Sequence, residues 1–162
     1  MTHAMQEALT RLLDEYDARR RVDLEREQRA KEEAELFLTQ FAELRRSVIR
    51  PVFEAAGALL EARGHRFSIS EQEFSAGGES RPSEAGIALR IAAAGTKAPL
   101  HDDQRSLAVT TRHYNRTVWI NSGEAPNAGG IAGAKGAYTL DKVTRDLVEK
   151  ELLGFVARII AA

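Results

Sequence analysis

His101, Asp102 and Asp103 set one imidazole beside two carboxylates, a donor set that suits a divalent cation when a loop turns all three inward. Zinc or manganese would need further ligands, and His3, His65 and His113 stand in unrelated contexts. Adjacent side chains diverge unless a loop is shaped around an ion, so a solvated polar turn is the expected role. Residues 129–139 (GGIAGAKGAYT) place glycines and Lys135 ahead of a helical segment, where backbone amides can cradle an anion. The phosphate-binding loop, however, needs four residues between its glycines and then Gly-Lys-Ser/Thr. Here Gly136 follows Lys135 and no strand leads directly into the stretch, so a flexible loop is expected. Arg112, His113 and Tyr114 close a strand and carry acid–base groups. No serine or carboxylate is placed by sequence to complete a triad, and a hairpin tip is the simpler account. The reading assigns no catalytic, metal or cofactor-binding residue, implies no cofactor, and leans away from an enzyme.

The composition narrows the classes further. The absence of cysteine excludes disulfides, thiolate nucleophiles and cysteine-ligated metal, and fits a reducing compartment. A net charge of −1 gives no basic field for nucleic acid or a membrane surface. Residues 1–14 lack the features of a secretory signal, and no run approaches the roughly 18 apolar residues of a membrane span. A cytoplasmic location is the expectation. Hydrophobic residues make up 43% of the 162-residue chain but aromatics only 6%, and much of the remainder is alanine. The core should be thin.

The elements that position these residues follow from periodicity. Strong helix formers fill residues 4–63, with one proline and one glycine among them. Acid-before-base pairs four residues apart (Glu15–Arg19, Asp17–Arg21, Glu25–Arg29, Glu27–Lys31) support the helix where its surface is charged all round. Leu13, Tyr16, Ala30, Ala34, Phe37, Phe41, Leu44 and Val48 fall on one heptad seam, interrupted by Arg20, Asp23 and Glu27. Pro51 is expected to kink or break the helix, and a second segment should run over residues 51–63 to Gly64. One unbroken helix over residues 4–49 would be about 70 Å long, too long for a small domain to cover.

Beyond Gly64 the period becomes two. Strands are expected near residues 65–74, through Ile87, Leu89 and Ile91, through Leu107, Val109 and Thr111, and over 117–121. Residues 122–138 read as a flexible loop, and Thr139 as the N-cap of a last helix over 139–161. The fold expected is α+β: a long coiled-coil-like N-terminal helix, a four-stranded antiparallel meander, and a C-terminal helix packed on one sheet face. Residues 1–50 would form an oligomerisation arm and residues 51–162 a small α+β domain.

Two surfaces follow. The seam suggests self-association as a dimer, against the alternative that its later half, from Phe37 to Leu60, folds back on its own sheet. The sheet face away from the C-terminal helix carries Arg90, Arg112 and the only tryptophan, Trp119, types enriched at interaction hot spots. It is either open or covered by the segment from Val52 to Leu60. The expectation is a structural or protein-interaction protein, with a small-ligand or anion-binding module as the alternative. Nucleic acid and membranes are not expected partners.

Overall fold

A computed structural model describes residues 2–96, 105–123 and 135–161. The Thr2 hydroxyl accepts the Met5 amide at 3.2 Å and caps the first helix. Helix α1 runs His3–Leu44, a π turn spans Arg45–Ile49, and α2 runs Arg50–Ala62, giving 60 helical residues in succession. Pro51 neither breaks nor ends the helix. The ladder widens just ahead of it, and the Arg50 amide donates to the Arg45 carbonyl. Pro51 then falls in the first turn of α2, immediately after the widened ladder.

The π turn also decides which residues face inward. Phe37, Phe41, Arg45, Ile49, Phe53 and Gly57 are all buried, in steps of four. Such a row drifts about 40° per step around an α-helix, and the additional residue held in the π turn takes back about 100°. The buried row is therefore not the heptad seam carried through Leu44 and Val48, which are half-buried at its margin.

The described residues divide into two compact units, Met1–Leu36 and Phe37–Ala162. In the first, which is helix alone, no residue is buried. In the second, five strands form an antiparallel sheet in sequential order. They are β1 Arg66–Gln72, β2 Gly86–Ala92, β3 Ser106–Arg112, β4 Thr117–Ser122 and β5 Lys135–Tyr138. Opposed pairs such as Ile69–Leu89, Ile87–Val109 and Val109–Ile120 line one face. Phe41, Ile49 and Phe53 join them in one core with Val148, Leu152 and Phe155 of α3, Arg145–Ala161.

Two expectations are corrected here. The sheet has five strands rather than four, because residues 135–138 pair with β4 instead of belonging to a loop. This strand is short and irregular: its register shifts between Val118 and Ile120, and Ala137 takes a left-handed φ of 62°. The last helix begins at Arg145, not Thr139. A 3₁₀ turn, Leu140–Lys142, comes first, and the Thr144 hydroxyl caps α3 by accepting the Leu147 amide at 3.2 Å. Thr139 instead donates to the Asp141 carboxylate, which together with the nearby Lys142 holds that carboxyl below its ordinary range.

Gly136 allows β5 to lie against β4, since a Cβ there would sit 1.9 Å from the Trp119 ring. Gly136→Ala must push strand and ring apart, with an expected loss of about 1–3 kcal/mol of stability. Trp119 is the only tryptophan, so its emission should shift to the red as the ring gains water, and thermal unfolding should move to lower temperature. An unchanged spectrum and midpoint would contradict this packing.

Candidate interaction surfaces

The first helix supplies one surface by itself. Leu13 and Tyr16 are 53% and 52% exposed, and Met5, Leu9 and Leu12 beside them are also exposed. Ala30 is exposed and Ala34 half-buried. Of the eight seam residues these four remain on the first unit. Phe37 and Phe41 belong to the core of the second, with Leu44 packed against it, so the later seam is occupied by the chain's own sheet. Among the described residues, no helix is long and apolar enough to cross a membrane.

The sheet contributes a second surface. Both α2 and α3 share a core with Ile87, Leu89, Val109 and Val118, which leaves the opposite face to Ser70, Ala88, Arg90, Ala108, Thr110 and Trp119. These residues are half-buried or exposed, and a groove of about 470 Å³ runs among several of them. Val52 and Phe53 lie in the core, so the α2 segment does not cover this face.

At one end of the open face the Arg112 guanidinium stacks over the Trp119 ring at 3.9 Å. The indole Nε1 donates to the Thr117 hydroxyl at 3.1 Å, and that hydroxyl donates to Asn115 Oδ1 at 2.6 Å. The indole is thereby oriented edge and face. Arg90 is not part of this group. Trp119 stands level with Thr110, and Thr110 with Gly86, whereas Arg90 lies four residues further along β2. That is a separation of about 13 Å along the strand. Arg90 donates instead to the Ser70 hydroxyl at 2.7 Å.

An apolar groove of about 420 Å³ opens between α2 and α3, lined by Val52, Ala56, Leu60, Leu152 and Val156. Leu59 and Leu153 are exposed at its rim.

Two polar clusters escaped the sequence reading. Arg45 is buried in the π turn. Its Nη1 donates to the carbonyls of Gln72 at 3.2 Å and Gly86 at 3.3 Å, and its Nη2 to Glu73 at 2.6 Å. It ties the helix to the end of β1 and the start of β2. The second is Glu84, whose carboxylate accepts the His113 amide at 3.1 Å and lies 2.9 Å from the His113 ring Nδ1. Phe74 packs on the same imidazole with ring centroids 4.2 Å apart. An imidazole–carboxylate pair needs a nucleophile to become a catalytic unit. The hydroxyl at hand, on buried Thr111, already donates to the Ala85 carbonyl at 2.9 Å. The cluster fastens the start of β2 to the β3–β4 hairpin.

His101, Asp102 and Asp103 lie outside the described residues, as do residues 129–134 of the glycine-rich stretch. Lys135, the cation that an anion site there would have used, forms an ion pair with Glu151 of α3 at 3.1 Å. Among the described residues, no group of three or more histidine, aspartate or glutamate side chains converges as a metal site. No protein family, curated protein or solved structure matches the chain.

Proposed function

We propose that this chain is a structural or interaction protein that self-associates through its first 36 residues. The Phe37–Ala162 unit then presents a surface to a protein partner. The observation that carries the reading is a helical stretch, residues 3–36, in which no residue is buried although Leu9, Leu13 and Tyr16 lie on one stripe. Helical stability in proteins comes chiefly from burying such a stripe, and a second copy supplies the surface to bury it against. The stacked Arg112–Trp119 pair is the contact we assign to the partner, because an oriented indole and guanidinium lose little freedom on binding. The α2–α3 groove is a second apolar surface available on the same unit. We place the protein in the cytoplasm, a setting its cysteine-free sequence suits.

Light scattering after size exclusion tests the first half of the proposal. The native chain should elute as a dimer at tens of micromolar. Leu13→Glu combined with Tyr16→Glu should give a monomer whose sheet unit unfolds at an unchanged temperature. A monomeric native chain at that concentration overturns the proposal.

A further inference from the structure

We infer that the second copy pairs antiparallel, in an overlap centred between Arg21 and Val22; this rests on the self-association proposed above. The charges inside the seam decide the orientation. A parallel, in-register pair would set Arg20 against Arg20, Asp23 against Asp23 and Glu27 against Glu27 of the second copy. That is three consecutive like-charged layers at the middle of the interface, each of them repulsive.

Reversing one helix about the stated centre removes all three conflicts. Arg20 of each chain meets Asp23 of the second copy, twice by symmetry. Moving outward, Tyr16 meets Glu27, Leu13 meets Ala30, and Leu9 meets Ala34. Each leucine thus faces an alanine, one large side chain against one small, which suits close approach of two helices. The seam then reads apolar, charged, apolar in a single self-complementary order.

Charges away from the seam follow the same symmetry. In this overlap Arg11 stands level with Glu32 of the second copy, Asp14 with Arg29, and Asp17 with Arg26. Every level pair in which both members are charged is of opposite sign. Arg11 and Glu32 lie on the far face of each helix, and Asp14, Arg29, Asp17 and Arg26 are not in contact across it, so these pairs add only a weak long-range bias beside the central Arg20–Asp23 layers. The overlap ends where the next residue on the seam, Phe37, is buried in its own core. It therefore covers about 26 residues, or about 39 Å of helix.

The chain has no cysteine, so introduced cysteines report alone. Full-length Leu13→Cys and Ala30→Cys chains, mixed under mild oxidation, should link to one another, and neither should link efficiently to itself. A separate variant, Arg20→Asp, should weaken the dimer by about tenfold or more, because both central layers become acid against acid. Efficient linking of Leu13→Cys to itself, or an Arg20→Asp dimer of native affinity, overturns the antiparallel register while leaving self-association standing. A native chain that stays monomeric overturns both.

Discussion

Phe53→Ala is expected to lower the stability of the Phe37–Ala162 unit by about 3–5 kcal/mol. Phe53 is 0% exposed and sits in one core with Phe41 and Phe155, between the α2 helix and the sheet. Aromatics are few in this sequence, so each carries a large share of the buried surface, and its close-packed neighbours cannot expand to refill the space. For a unit of this size the loss corresponds to a fall of about 10–20 °C in melting temperature. Leu59→Ala, six residues further along the same helix but 74% exposed, should change stability by less than about 0.5 kcal/mol. Thermal or urea unfolding of the two variants checks both figures. Near-equal effects would mean that α2 presents a different face to the sheet.

The second large effect is expected at Arg45. Arg45→Ala removes a side-chain donor to the Gln72 and Gly86 carbonyls and the cation facing Glu71 and Glu73. An expected loss of about 2–4 kcal/mol follows chiefly from the charge-assisted hydrogen bonds to those carbonyls and from the space left by a buried side chain. The ion pairs contribute less, because Glu73 is 73% exposed and screened by water. Glu73→Gln should accordingly cost under about 1 kcal/mol. Arg45→Lys should recover only part of the loss, since one ammonium cannot reproduce the guanidinium fork that spans β1 and β2. Unfolding in urea at low and high salt separates the contributions. A loss that vanishes in high salt would assign the effect to the carboxylates instead of the carbonyls.

Much of the sheet was legible because alternation fixes a face. Ile87, Leu89 and Ile91, and Leu107 and Val109, do point to the core, and the strands pair in the order of the sequence. Alternation does not fix distance along a strand. That is why Arg90, Arg112 and Trp119 share a face while only the last two meet. Strand β5 offered no alternating pattern, only Lys-Gly-Ala-Tyr, and its reason for existing is the flat Trp119 ring beneath Gly136. The heptad and the steps-of-four row share Phe37 and Phe41 and part only at Leu44 and Arg45. Two shared residues cannot tell a supercoiling helix from one that widens into a π turn. Arg45 itself was unreadable for the same reason: a charged residue in a charged helix is expected in water until the turn rotates it inward. The Glu84–His113 contact joins residues too distant in sequence for any spacing rule to connect.

The irregularity of β5 has a consequence for the protein in a crowded solution. An edge strand normally offers a row of unpaired amides and carbonyls on which a foreign strand can grow. Here the outermost strand is four residues long, shifts register, and turns left-handed at Ala137, so its free groups do not form a straight row. An incoming chain could match one or two of them before the template runs out of phase. The sheet thus resists growth into fibrous stacks at this edge.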